Sequence, residues 1–269
     1  MKKKNKILIV TAFVVSFAVA VILYMTFTEN KLTSKEVYAL RNEYPIVYRE
    51  SYDASFNVDP TKKTGIRKIV EDSETFVYCE IIGEPISRKI FIGTGIAELD
   101  KEVFENTEYN AVQYHFPIRI ISDTEGIFET GQEITYCYGI TTQSYDPGIE
   151  IGKKAILPIY VSDGGNEGLF FTSISGYYYV TDDGYALSAY GEKEHIYSGM
   201  KWNSIMKNLT KTEEEREEYF KDKTNEYEGF LGTRGFTDYE DFKSKVKNEL
   251  IPKNQEMVKS LKENSLAEK

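Results

Sequence analysis

Apolar and polar residues alternate along the middle of the chain, and this alternation predicts β-strands. Short runs rich in Ile, Val, Tyr, Phe and Thr lie between clusters of Gly, Pro and Asp, as in strands separated by turns. The spacing of the runs predicts a mainly β domain, a small OB-like barrel or sandwich, over residues 61–207. The predicted strands are Thr75–Ile82, Tyr114–Ser122, Glu133–Tyr138, Lys154–Val161, Phe170–Ile174, Tyr177–Thr181 and Tyr185–Ala189.

After residue 207 the hydrophobic pattern changes to helical spacing. In "FTDYEDFKSKVKNELIP", Phe242, Val246 and Leu250 recur every four residues and therefore line one face of a helix. Pro252 is predicted to interrupt this helix, with "KNQEMVKSLKEN" forming a last one. We therefore predict a helical C-terminal extension over residues 208–269.

The chain begins with lysines followed by an uncharged run over residues 7–28. This length matches the ~20 residues that a helix needs to cross the bilayer. We predict an uncleaved transmembrane signal anchor over residues 1–28, which places Ile7, Val14, Val21 and Phe27 in the lipid. A cleaved signal peptide is the alternative, but the apolar run continues beyond the small residues at 18–20.

The lysines before the apolar run place the N-terminus in the cytoplasm by the positive-inside rule. The expected location is the bacterial cytoplasmic membrane, with a single pass and the bulk of the chain outside. Residues 29–60 are then a connector. The chain carries 33 basic and 43 acidic residues, and four of the lysines precede the apolar run, so the remainder has a formal charge of −14. An acidic surface repels phosphate backbones, so no nucleic-acid partner is expected.

The stretch "YYYVTDDGYALSAYG" predicts a tight β-hairpin, because Gly184 adopts a positive φ at little cost. Tyr178 and Val180 share one face of its first strand, and we predict that this face points into the barrel. Tyr177 and Tyr179 then lie on the outer face, about 7 Å apart. Two interpretations stay open: these rings pack under the C-terminal helices, or they contact a ligand or partner.

Signals for catalysis, metals and cofactors are weak. Asp163 and Asn166 in the loop "SDGGNEG" can contact a ligand, but the loop lacks the spacing of a calcium-binding loop. The two histidines lack zinc-site spacing, and no cofactor is expected. Strand alternation places Cys79 and Cys137 on different faces, which favours two free thiols over a disulfide. An enzyme is therefore disfavoured; a hydrolase would have to use the carboxylates Glu80, Glu84, Asp163 and Asp182.

Residues 66–190 resemble a widespread group of bacterial extracytoplasmic lipoproteins and anchored proteins, mostly without an assigned function. The resemblance lies in the order of "IRKIVEDSETFVYCEIIGE", "YHFPIRIISD", "ETGQEITYCYG", "EIGKKAILPIYVS" and "YYYVTDDGYALSAYG". It implies an OB-type β-barrel domain. The chain departs from the group in two ways: an apolar helix replaces the lipid-carrying cysteine, and extra residues lie between Gly83 and Tyr114.

These observations predict a membrane-anchored, non-enzymatic binding module of the cell envelope. Its expected partners are the lipid bilayer, through residues 7–28, and another envelope protein or a wall polymer. OB-type barrels bind through one sheet face and its loops, so the loops Gly83–Ala111 and Ser162–Gly168 are the expected contact regions. The alternatives are a carboxylate-dependent envelope hydrolase and a structural subunit of a secretion or transport assembly.

Overall fold

The computed structural model describes residues 31–47, 66–92, 109–139, 146–161, 168–190, 197–217, 219 and 239–267. The predicted strands are all present there, although their ends shift by a few residues. The strands are β1 (Thr75–Ile81), β2 (Ile86–Ile90), β3 (Ala111–Asp123), β4 (Glu133–Cys137), β5 (Lys154–Val161), β6 (Phe170–Phe171), β7 (Tyr178–Val180) and β8 (Ala186–Ser188).

Five of these strands close into a barrel in the order β1-β3-β4-β6-β5, with β5 pairing again with β1. The β4–β6 pair is parallel, and the other pairs are antiparallel. The barrel closes because β3 is long and β1 bends. Along one edge of β3, the first half of the strand pairs with β2 and the second half pairs with β1. The pairing with β1 contains a register shift between Tyr78 and Cys79 of β1. Such a bulge increases the local bend and twist of a strand.

The barrel interior holds one apolar cluster, to which β1 contributes Val77, Cys79 and Ile81, as the alternation predicts. Their neighbours Phe76 and Tyr78 face outward into a second cluster. Helices α2 (Ile66–Asp72) and α3 (Trp202–Leu209) cover this second cluster, and the Trp202 ring stacks on Tyr78 with ring centroids 4.4 Å apart. A short helix α1 (Ser34–Ala39) begins at a capping box between Thr33 and Glu36.

The C-terminal arm, residues 239–267, consists of α4 (Tyr239–Lys245), a π-helical turn (Val246–Leu250) and α5 (Ile251–Ala267). The predicted stripe is confirmed: Phe242, Val246 and Leu250 are buried and join the barrel cluster. The prediction that Pro252 interrupts the helix is wrong. In an α-helix a proline ring clashes with the carbonyl group four residues earlier. For Pro252 that carbonyl belongs to Asn248, which lies in the wider π-helical turn, and the helix continues through the proline.

A buried carboxylate fastens the segment after α3 and the start of the arm to the barrel. Glu125, whose side chain is 1% exposed, accepts a hydrogen bond from Arg216 Nε at 2.7 Å. Its other oxygen accepts from the backbone N–H of Lys211 at 2.8 Å. Tyr239 Oη lies 3.3 Å from the Glu125 carboxylate, within hydrogen-bond distance. A buried charge is stable only when it is paired and hydrogen-bonded, and these donors meet that requirement.

The face assigned to the tyrosines of the hairpin is wrong. β7 and β8 do form the predicted hairpin, with Gly184 at φ +78°. However, Tyr177 and Tyr179 belong to the barrel cluster, and Tyr178 belongs to the outer one. The reason is register: Tyr178 pairs with the outward-facing Ile156 of β5 and therefore shares its side of the sheet.

Both cysteines are free and buried, so the prediction of free thiols is confirmed. Burial raises the pKa of the Cys137 thiol to about 12 and that of Cys79 further. In the part of the chain that the structure describes, no helix is long and apolar enough to span a membrane. The predicted anchor, with Ile7, Val14, Val21 and Phe27, lies outside the described residues.

Candidate ligand groove

Asn254 positions helix α5 against the barrel. The parallel β4–β6 pairing begins only at Tyr136, so the backbone of Thr135, one residue earlier, has no partner in β6. Asn254 takes that place: its Oδ1 accepts from Thr135 N at 2.9 Å, and its Nδ2 donates to Thr135 O at 3.1 Å. Its Nδ2 also donates to Gly168 O at 2.8 Å. A buried amide side chain thus replaces a short piece of strand.

The approach of α5 to the barrel depends on Gly168. This residue has φ +64°, and a Cβ placed on it would lie 2.5 Å from both Asn254 N and Leu250 O. Glycine is the residue that accepts both the left-handed conformation and the close backbone approach. Next to Asn254, Gln255 Nε2 donates to Glu133 O at 3.1 Å. These contacts fix the first turns of α5 on β4.

Beyond Gln255 the helix also contacts β2, where Arg88 Nη1 lies 3.8 Å from Met257 Sδ. Between α5 and the barrel lies a groove of about 430 Å³, which we call the α5 groove. The barrel side of the groove is formed by Ile82, by Pro117 of β3 and by residues 133–135 of β4. The helix side is formed by Asn254, Gln255, Val258, Lys259, Lys262 and Glu263. The barrel side of the lining thus combines the partly exposed Ile82 with polar Glu133 and Thr135, and the helix side is polar apart from Val258.

Some charged side chains around the groove form ion pairs with described residues, and others do not. Arg119 donates to Glu133 Oε1 from Nη2 at 2.9 Å and from Nε at 3.2 Å, and its Nη1 lies 3.3 Å from Glu80 Oε2. Glu133 therefore shares the single positive charge of Arg119 with Glu80. Lys259 and Lys262 are exposed, and neither forms an ion pair with a described residue. The helix side of the groove consequently presents two ammonium groups and one carboxylate, Glu263, that form no ion pair with a described residue.

The predicted contact residues do not lie together in this groove. Tyr177 and Tyr179 are 0% and 2% exposed, with ring centroids 5.9 Å apart. Tyr179 Oη donates to Pro45 O at 2.9 Å, and the Tyr44 ring packs 5.6 Å from that of Tyr179. The rings are therefore covered, by the barrel interior and the 44–45 segment, and they form no exposed platform.

Asp163 and Asn166 lie outside the described residues, so their predicted contact role stays a prediction. Their loop, however, ends at Gly168, which contacts Asn254 at the base of the α5 groove. Of the other carboxylates considered for hydrolysis, Glu80 is paired with Arg119, and Asp182 is exposed beside Lys153 at 3.5 Å. Among the described residues, no group of three or more His, Cys, Asp or Glu can hold a metal ion.

The barrel interior contains a cluster of buried phenols next to one carboxyl group. Burial raises the pKa values of Tyr136, Tyr138 and Tyr177 well above the ordinary value for tyrosine. Desolvation also raises the pKa of Asp146, although its Oδ2 accepts from Gly148 N at 2.9 Å. The rings of Tyr136 and Tyr138 pack edge to face with centroids 5.8 Å apart, so the cluster is part of the packed core.

The sequence did not reveal the groove residues. Asn254 and Gln255 read as ordinary polar residues of a charged helix, and Lys259 and Lys262 as part of its solvated face. Pro117 gives no such signal, because its carbonyl accepts from Ile82 N at 3.1 Å and its backbone therefore faces the other edge of β3. Comparisons with known proteins add nothing further: no family model, curated protein or solved structure matches the chain.

Proposed function

We propose that this chain is a membrane-anchored, non-enzymatic binding module of a bacterial cell envelope, and that the α5 groove is its binding surface. Residues 7–28 serve as the anchor, and the barrel is carried outside the cytoplasmic membrane. The partner is another envelope protein. The observation that carries the proposal is a groove between α5 and strands β3 and β4, bordered by two ammonium groups that pair with no described carboxylate.

The strand order supports an OB-type barrel. The five barrel strands, numbered first to fifth in chain order, are β1, β3, β4, β5 and β6. Around the barrel they pair in the order first, second, third, fifth, fourth and back to first, and the third–fifth pair is parallel. OB-type barrels bind their ligands on the face of the second and third strands and at the adjoining loops. In this chain those strands are β3 and β4, which line the α5 groove. Two independent features therefore select the same surface.

The experiment is photocrosslinking in intact cells with a benzoylphenylalanine residue in place of Val258, inside the groove. The control position is Tyr38, which is 81% exposed on α1. We expect a discrete adduct from position 258 that the control position does not give. A second variant, Ile82→Trp, fills the groove from the barrel side and should abolish the adduct. Ser260→Trp adds the same bulk to an exposed position of α5 outside the groove lining and should preserve it.

Two results would refute the binding surface. One is the same adduct from positions 258 and 38, which indicates random encounter. The other is an adduct that survives Ile82→Trp although melting shows that variant to be folded. Recovery of the chain from the cytoplasm, or from the medium without residues 1–28, would refute the anchoring.

A further inference from the structure

The lining of the α5 groove indicates what kind of partner it binds. We propose that its ligand is an extended acidic peptide segment with alternating aliphatic and carboxylate side chains, presented by a partner protein. This inference rests on the proposed function, because it assigns a ligand class to the same groove. Three properties of the described residues support it: charge, shape and the chemistry of the lining.

Charge distinguishes the C-terminal arm from the rest of the chain. Residues 239–267 contain six lysines and five acidic residues, whereas the whole chain has a net charge of −10. Of these lysines, Lys243 lies 3.4 Å from Glu240 and Lys247 lies 2.8 Å from Glu129. Lys259 and Lys262 form no such pairs with described residues, and both line the groove. Carboxylates of a ligand can pair with them without displacing an existing ion pair.

The dimensions of the groove fit an extended chain. From Asn254 to Glu263 the helix rises about 14 Å, at 1.5 Å per residue. An extended peptide covers this distance with about four residues, at about 3.3 Å each. Lys259 and Lys262 are three residues apart on the helix, so their Cβ atoms are about 5–6 Å apart. Carboxylates at alternate positions of a strand are about 7 Å apart, a spacing that the long side chains of Lys259 and Lys262 can match.

The chemistry of the lining favours a peptide over other anionic ligands. Ile82 and Val258, both partly exposed, provide aliphatic surface for the side chains between the carboxylates. The described lining contains no aromatic ring on which a sugar or base could stack. Phosphate groups are preferentially bound by arginine forks, and the nearby Arg119 is occupied by Glu80 and Glu133.

The test measures binding of labelled synthetic peptides to the full-length chain in detergent by fluorescence anisotropy. The first probe alternates Leu and Glu, and two further probes replace Glu by Gln or by Lys. We expect the Leu–Glu peptide to bind at least tenfold more tightly than the Leu–Gln peptide. The double charge reversal Lys259→Glu/Lys262→Glu should weaken Leu–Glu binding at least tenfold and create binding of the Leu–Lys peptide. A gain of binding shows that the variant is folded.

The matched control is Lys207→Glu/Lys253→Glu, which changes the net charge equally. Lys207 is exposed on α3, and Lys253 is on α5 outside the groove lining. This control should bind the Leu–Glu peptide like the parent chain.

Equal binding of the Leu–Glu and Leu–Gln peptides would overturn the proposal, as would an equal loss in the control variant. Tight binding to vesicles containing phosphatidylglycerol, with no peptide binding, would assign the lysines to a lipid surface instead. Failure of every peptide while the crosslink from position 258 persists would refute the ligand class alone. Loss of that crosslink as well would refute the proposed function.

Discussion

The two halves of the C-terminal arm are attached to the barrel by different means. In the first half, the apolar side chains of Phe242, Val246 and Leu250 are at most 5% exposed and belong to the barrel cluster. In the second half, Asn254 is the last fully buried side chain among the described residues, and Val258 is only half-buried. Apolar burial therefore fixes the first half, whereas a few polar contacts hold the second.

This difference shows how one helix can serve both stability and binding. Packing of an apolar stripe leaves no room for a ligand, because protein interiors are close-packed. A helix that is held at one buried amide, without a continued apolar stripe, keeps a polar wall beside the barrel. The groove begins where the apolar stripe ends, so substitutions on either side of residue 254 should affect different properties.

The largest expected effect is on the free energy of unfolding of the Phe242→Ala variant. Truncation of a fully buried phenylalanine typically costs about 3–5 kcal/mol. Val258→Ala removes the equivalent of two methylene groups from a half-buried position. A fully buried methylene contributes about 0.8 kcal/mol, so this variant should lose about 1 kcal/mol or less of its free energy of unfolding. Urea denaturation of both variants measures the difference. Equal losses would show that the two halves are anchored alike.

Asn254→Ala should come second in magnitude. It leaves the buried backbone groups of Thr135 and Gly168 without their partners, and an unsatisfied buried group costs about 1–3 kcal/mol. The matched control is Asn248→Ala, an exposed asparagine of the same arm, which should stay within about 0.5 kcal/mol of the parent. The measurement is again urea denaturation. A loss no larger than that of the control would contradict the role assigned to Asn254.

Amide hydrogen exchange should be slower in the C-terminal arm before residue 254 than after it. We expect amides of the turn Val246–Leu250, whose first and last side chains are buried, to exchange through global unfolding, because opening them exposes the barrel cluster. Amides at 258–263 should exchange through local opening and be at least tenfold less protected. Mass spectrometry of short peptides from the labelled chain resolves the two segments. Uniform protection along the arm would show that α5 is anchored over its whole length.

The smallest effect concerns pH and Asp146. Burial raises its folded-state pKa, so the folded carboxyl group binds its proton more tightly than the unfolded one. Its contribution to stability is therefore greatest below the unfolded value of about 3.9 and decreases as the pH rises through the raised folded pKa. Asp146→Asn should thus stabilise the chain at pH 7 relative to the parent and have little effect at pH 3.

Thermal melting at both pH values tests this prediction. The control is Asp182→Asn, because the side chain of Asp182 is 87% exposed and its charge is solvated. The control should give nearly the same shift relative to the parent at both pH values. Parallel pH profiles for the parent and Asp146→Asn would contradict the burial of a titrating carboxyl group at this position.

The edge strand β2 shows where pattern reading fell short within the barrel domain. Its residues Ile86–Ile90 include charged Arg88 and Lys89 between two isoleucines, which is typical of an edge strand and weak as a strand signal. It forms because β3 extends beyond β1 and offers its free edge to a second partner. The length of a neighbouring strand, and not local preference, decides such pairing.

The amino-acid sequence by itself determined the strands of the barrel, the hairpin at Gly184, the free thiols and the buried stripe of the arm. Each follows from a local period or turn preference. Only the tertiary structure decided that Tyr177 and Tyr179 face inward, because a period of two shows which residues share a face but not which face is covered. It likewise decided that Asn254 completes the edge of β4 and that Lys259 and Lys262 border a groove. Those contacts join residues more than 100 positions apart, and no local pattern encodes them.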